Sequence, residues 1–377
     1  MILDVAAHGH VALFFKGVAA VVEAGDRGHA VSRGRAVLVF RFVRIDVGEE
    51  DVILGYVHVL GIGEVGRRSA QIERAFVELH RDGVAPAGEG LGGGNALARD
   101  AVRTLTLVDL GQEGALLAEI MEYLRFENHP NLFLHANGLL YTNGHDRAVT
   151  WMNSTANGRP VTPRTGYVVE INALWYNALC FVADLLGENA LTDALKDIAA
   201  KTAVAFKDTF LNEHGYLLDY VDGHMMDWSV RPNMIFTAAF DYSPLNNRQK
   251  KGIVDICSKE LLTPKGLRSL SPKSGGYNPN YVGPQIQRDY AYHQGTAWPW
   301  LAGFYFEAYL KIYKMSALGF IERHLIGFED EMTSHCIASI PELFDGNPPF
   351  KGRGAVSFAM NVAEILRTLN LLSKYNY

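Results

Sequence analysis

Cysteine is scarce in this 377-residue sequence: Cys180, Cys257 and Cys336 are far apart and form no CxxC pair. An odd, scattered set excludes a disulfide framework and a cysteine-based metal site, and it fits a reducing compartment. No uninterrupted apolar run reaches the ~18 residues needed to cross a bilayer. The apolar patches near the N-terminus are broken by His8, His10 and Lys16, and no signal-peptide layout is visible, so a cytoplasmic location is the default expectation. Excess positive charge is missing too. A net charge of −6 and a pI near 6.1 leave no electrostatic case for nucleic acid or an anionic membrane as partner. His135, His145 and His293 lack the spacing of metal ligands.

The first 110 residues are the poorest in variety. They hold one Lys (Lys16), one Asn (Asn95), one Tyr (Tyr56) and no Trp or Cys. Val, Gly, Ala and Arg dominate, and the Val-rich stretch from Arg35 to Gly63 reads as two or three strands. The glycine run from Gly90 to Asn95 is a turn-rich break, because no Lys-Ser/Thr follows it as a phosphate loop requires. Composition changes abruptly near Leu110. The expected division is an N-terminal segment of unknown nature at 1–110 and a helical domain at 111–377.

Beyond that boundary the apolar period becomes helical. Glu113–Phe126 places Leu116, Ile120, Tyr123 and Leu124 on one face, and Pro130 stops it. Helices are expected over Glu170–Leu186, ended by Gly187, and over Asn189–Phe210, with Asn189 as N-cap. Further helices are expected near Asn233–Phe240, Asn246–Glu260, Trp298–Tyr313, Ala317–Glu331 and Ala355–Leu372. Short connections alternate with longer loops at 131–169, 214–232, 263–297 and 334–354. Helical hairpins with their functional loops gathered at one end describe an all-α fold, an α/α toroid.

Those loops carry the unusual residues. The densest stretch, QRDYAYHQGTAWPWLAGFY from Gln287 to Tyr305, sets Arg288, Asp289, Tyr292, His293, Gln294, Trp298 and Trp300 around the helix start at Pro299. Buried rings with N–H and O–H groups are a costly core but a good sugar pocket, where rings cover the apolar sugar face and polar forks grip hydroxyls. The other loops contribute DRAVTWMNSTANGRPVTPRT from Asp146, DWSVRPN from Asp227, GLRSLSP from Gly266 and SIPELFDG from Ser339. All five tryptophans lie in the first three loop regions. Trp175 and Trp300, at helix starts, suit a core-capping role; Trp151, Trp228 and Trp298 suit ligand contact.

In order and in approximate spacing, TWMN, VTPRTGYVVEINALWYNAL, RPN, GLRSLSP, RDYAYHQGTAWPWLAGFY, SIPELFDG and VAEILRTL resemble the C-terminal amylo-α-1,6-glucosidase domain of glycogen debranching enzymes. The resemblance runs from about Gln112 to the C-terminus and leaves residues 1–110 outside. It implies a six-hairpin barrel that hydrolyses the α-1,6-linked glucose stub of glycogen, a limit dextrin or a branched maltooligosaccharide. It also implies inversion and no metal or organic cofactor. Six hairpins need twelve helices, and only about eight are visible after residue 110, so the barrel is expected to be incomplete.

Inverting hydrolysis needs one carboxyl group to protonate the leaving oxygen and another to deprotonate water. Glu342 in SIPELFDG matches the family's general base. At the acid position many relatives read TWMD, whereas this chain has Asn153. An amide holds a hydroxyl but delivers no proton at neutral pH. Glu170, which opens the helix after the same loop, is the first substitute acid, and an acidic residue there also suits the helix dipole. Asp146 and Asp289 are weaker substitutes; Asp289 better suits an ion pair with Arg288 or a grip on a hydroxyl. Trp151, Trp228, Arg231, Arg288, Asp289, His293, Gln294 and Trp298 are the expected substrate-binding set. Two other functions remain open. One is a carbohydrate-binding or inactive remnant, favoured by Asn153. The other is a lyase using Tyr292-His293, disfavoured by the lack of a basic cleft.

Overall fold

The computed structural model describes residues 36–47, 50–61, 110–126, 131–335 and 338–375. The glycine run at 90–95 and Cys336 lie outside them. The described residues fall into two units. In the first, strands β1 (Ala36–Val47) and β2 (Glu50–Gly61) pair antiparallel from Ala36↔Gly61 to Val47↔Glu50. The β-branched run expected to be extended is extended.

Helix α1 (Leu110–Phe126) leads into the second unit, which continues through α2 (Val169–Leu186) and α3 (Ala190–Phe210). Gly187 caps α2 at φ 68°, and Asn189 caps α3 by accepting from the Thr192 amide at 2.9 Å. This tight cap pair folds α2 and α3 into a packed hairpin. Their shared core, with α1, holds Met121, Ile171, Trp175, Leu179, Val182 and Leu195. Helix α2 is apolar and long enough to cross a membrane by length and composition. More than half of it is buried inside the protein, however, as befits a core helix.

The second half adds α4 (Ile235–Ala239), α5 (Asn247–Glu260), α6 (Gln285–Ala291), α7 (Pro299–Tyr313), α8 (Leu318–Ile326), α9 (Glu331–Ser334) and α10 (Ala359–Ser373). A capping box, Asn246 with Gln249 at 3.0 Å both ways, starts α5. Packing runs α3–α2–α4–α7–α10, with α5 against α4 and α7. At the α7–α10 crossing a Cβ on Gly303 would collide with Glu364, so glycine permits the close approach. Helical hairpins, the class expected from the sequence, build this domain.

Two expectations need correcting. The helix proposed over Ala317–Glu331 is two pieces, α8 and the four-residue α9, broken at the glycine–phenylalanine turn after Ile326. Helix α6 sits where a loop was expected; its polar, uncapped sequence offers little apolar period to detect.

Short strands stitch the long loops together in pairs. One sheet, β3-β4-β7-β8-β9, joins the 131–169 loop (β3 Leu132–Leu134, β4 Leu140–Thr142, β7 Gly166–Val168) to the 214–232 loop (β8 Tyr220–Asp222, β9 Met225–Met226). A second, β10-β11-β12-β13-β14, joins the 263–297 loop (β10 Leu262–Thr263, β11 Gly266–Arg268, β12 Ala297–Trp298) to the 334–354 loop (β13 Leu343–Phe344, β14 Gly352–Arg353). A separate pair, β5 (Thr155–Ala156) with β6 (Arg159–Pro160), extends from the first loop and touches α6. Backbone pairing therefore brings residues some hundred positions apart to one place.

Candidate active site

Strand β13 begins one residue after Glu342, and β12–β13 pairing (Ala297↔Phe344) fixes that residue beside the aromatic loop. The carboxylate is held at both oxygens: the Tyr292 hydroxyl donates to Oε1, and the Ala355 amide donates to Oε2 at 2.9 Å. Gly354, at φ 73°, turns the chain so closely over Glu342 that a Cβ would strike Oε2. Burial and the hydrogen bond to Glu342 push the Tyr292 phenol far above its ordinary range, so it stays a donor at neutral pH. Glu342 lines a cavity of about 570 Å³ with Tyr281, Arg288, His335 and Arg353.

From Tyr292 a continuous aromatic floor leads away from this cavity. Tyr292 lies 5.4 Å from Tyr281, 4.6 Å from His293 and 5.0 Å from Trp298, centroid to centroid. His293 stacks on Trp298 at 5.4 Å, and Trp151 meets both edge-on at 5.1 and 5.7 Å. Trp151 donates to Asn233 at 2.7 Å, and Trp298 donates to Thr296 at 3.0 Å. Trp298 is nearly fully buried and Trp151 half-buried. Burial, then the positive charge of Arg231 and Arg164, pulls His293 down to about 3, so it is neutral, and its Nδ1 is buried without a partner.

Beneath the floor lies a closed ionic network. Arg164 donates to both oxygens of Glu170, one at 2.7 Å, and to both oxygens of Asp219 at 2.9 and 3.0 Å. All three side chains are buried. Asn233 also donates to Asp219 at 2.7 Å, and Arg231 stands 3.8 Å from it. Burial raises Asp219 to about 6 even against the pull of Arg164 and Arg231. Arg231 in turn donates to the carbonyls of Ser269 (3.1 Å) and His293 (2.9 Å) and to Gln294 (3.0 Å). Gln294 completes the tie by donating to Thr162 at 2.9 Å. Arg231 and Gln294 thus clamp three loops together.

Of the residues expected to bind substrate, Trp151, His293 and Trp298 form the floor, with Arg231 and Gln294 under it. His293, Trp298 and Arg231 are buried, however, and none of these five lines the Glu342 cavity, because their rings and donors are used up in packing and in tying loops together. Arg288 and Glu342 line the cavity. Asn153 is exposed beside Ser154, whose hydroxyl donates to the Asp289 carbonyl at 2.6 Å. Asp289 and Arg288 do not pair with each other: Gln285 lies between, accepting from Arg288 and donating to Asp289, both at 2.6 Å. Asp146 is exposed near His145. Trp228 stands apart from the floor; the residue is 44% exposed and its ring meets His214 at 6.0 Å. Trp175 and Trp300 are core residues, and Trp175 donates to the Gly138 carbonyl at 3.0 Å. Sequence reading missed Asp219, an isolated acid in the apolar run GYLLDYV, and Tyr292 as the partner of Glu342. Among the described residues no group of three or more His, Cys, Asp or Glu is placed to hold a metal.

Comparison with known proteins finds partial likenesses and one family. Glycogen debranching enzyme from Saccharomyces cerevisiae is 27% identical over an alignment covering 48% of this chain; the chain spans 15% of that relative's length. Among solved structures, neutral trehalase from the same yeast superposes with a TM-score of 0.43 at 16% identity, covering 59% of this chain and 40% of the trehalase. A mannosylglycerate hydrolase from Thermus thermophilus gives 0.40 at 13% identity, covering 55% and 46%. Residues 106–367, more than half of the sequence, match the amylo-alpha-1,6-glucosidase family, and the chain belongs to that family.

Proposed function

We propose that this domain hydrolyses α-1,6-linked glucose at the branch stubs of glycogen, limit dextrin or branched maltooligosaccharides, with inversion and with Glu342 as general base. One observation carries the reading. Glu342 is a carboxylate oriented at both oxygens by neutral donors, Tyr292 and Ala355, and it lines an open cavity. With one donor per oxygen, each oxygen keeps a lone pair for a water proton. Neutral donors leave its charge unpaired, as basicity requires. Tyr292 and Trp151, the partly exposed members of the aromatic floor, offer the apolar surface on which a pyranose ring would lie.

Glu170 is poorly suited to the acid role, because Arg164 occupies both its oxygens in a site closed to solvent. Asn153, exposed and on the loop that contacts α6, is suited to hold a hydroxyl and not to protonate an oxygen. This observation favours a second reading, a carbohydrate-binding domain without turnover. Glucose release from a phosphorylase-limit dextrin, followed by NMR of the first-formed anomer, separates the two. Release of β-glucose supports the hydrolase. Binding without release leaves the remnant reading, and release of α-glucose would refute inversion.

A further inference from the structure

Glu342 is the one carboxylate among the described residues lining its cavity; the other ionisable side chains there are Arg288, Arg353, His335 and Tyr281. Arg353 is neutralised by Asp345 at 2.8 Å. Arg288 is different. Its Nη2 donates to the neutral amide of Gln285, it lies 5.8 Å over the Tyr281 ring, and its Nε is buried without a partner. Among the described residues the guanidinium makes no ion pair, and it brings its positive charge to the cavity wall.

This lining bears on which bond can break. A sugar alkoxide is too poor a leaving group to depart without a proton, and protonation needs a second carboxyl group. An aglycone stable as an anion needs no proton; a fixed cation that receives the developing charge serves instead. Guanidinium is the side chain best shaped for two donors on one phosphate. We propose that this cavity takes α-glucosyl phosphates, with Arg288 holding the phosphate as it leaves; the inference rests on Glu342 as base. Water attacks C1 from the Glu342 side while Glu342 takes one of its protons. The bond from C1 to the ester oxygen breaks, and its electron pair departs on the phosphate. A singly protonated ester thereby leaves as hydrogen phosphate dianion, and Glu342 passes its proton to solvent. The products are glucose inverted at C1 and inorganic phosphate.

The experiment compares kcat/KM of the full chain on α-D-glucose 1-phosphate, α-glucosyl fluoride and a branched maltooligosaccharide. Both activated substrates should be hydrolysed faster than the branched one. The rate on the phosphate should fall as pH rises above about 6, where the ester loses its last proton. Arg288→Gln should lower the phosphate rate at least tenfold more than the fluoride rate, and Arg288→Lys, which keeps the charge, should recover part of the loss. Asn153→Asp should raise the branched rate at least tenfold more than the fluoride rate. Equal losses on phosphate and fluoride in Arg288→Gln would overturn the assignment of Arg288. An inert glucose 1-phosphate, with Asn153→Asp cleaving the branched substrate through Glu342, would overturn this inference alone. A fluoride rate untouched by Glu342→Gln would overturn the base assignment and this inference with it.

Discussion

Glu170 and Glu342 both stand in motifs that the sequence shares with the family, yet their surroundings make them opposites. Glu170 meets Arg164 at both oxygens, and Asp219 takes the rest of that guanidinium. No face of this cluster is open to solvent. Glu342 is held by a phenol and a backbone amide, and it lines an open cavity. The lesson is that what occupies a carboxylate's oxygens decides its role. A charged, bidentate partner turns it into a rivet between α2 and the loops; neutral donors leave it suited to the base role proposed for Glu342.

The sharpest test of this contrast is Glu342→Gln. It should lower glucose release by roughly 10²–10⁴-fold, the span expected of a general base, while branched-oligosaccharide binding and the thermal midpoint hold. An unfolded variant would place Glu342 with Glu170, as structure. The converse is Arg164→Met, which strands two buried carboxylates. Chemical denaturation should show a loss of about 3–5 kcal/mol. A loss below about 1 kcal/mol would mean that the network is hydrated and not closed.

A pH series separates the regions next. His293 is held down to about 3 by burial and by Arg231 and Arg164, against 6.5 for an ordinary imidazole. A depressed base binds protons better when unfolded, so its contribution to stability is present above pH 6.5 and is lost as pH falls from there toward 3. At pH 5 the loss is about 2 kcal/mol. Asp219 opposes it. Its acid is raised to about 6, so between 3.8 and 6 it stabilises the fold as pH falls. His293→Gln should therefore flatten the acid-side decline, and urea midpoints at pH 7 and pH 5 measure it. An unchanged slope would show that His293 is solvated. The smallest effect expected is at Tyr292→Phe, where Glu342 loses one of two donors. Catalysis should drop about tenfold with stability changed by about 1.5 kcal/mol, the low end for one hydrogen bond to a charged group. A null effect on rate would leave Tyr292 a floor residue only.

The sequence by itself determined most of the helices, though neither α6 nor the break between α8 and α9, and the identity of the loops. Asn189, Gly187, Pro299 and the Asn246–Gln249 box are local signals whose partners lie within a few residues, so they act before any tertiary contact forms. Ordered motifs such as SIPELFDG and RDYAYHQGTAWPW are likewise linear, and they pointed to the family that the chain joins. Only tertiary structure decided which residues meet. Arg164 reaches Asp219 across 55 positions, Tyr292 reaches Glu342 across 50, and Arg231 reaches Gln294 across 63. Such pairs depend on the β7–β8 and β12–β13 ladders, whose two- and three-residue strands carry almost no periodic signal. Trp228 and Trp298 show the same limit. Both stand in aromatic loop motifs, but one is left facing solvent and the other is buried, because only β12 draws its tryptophan into the core.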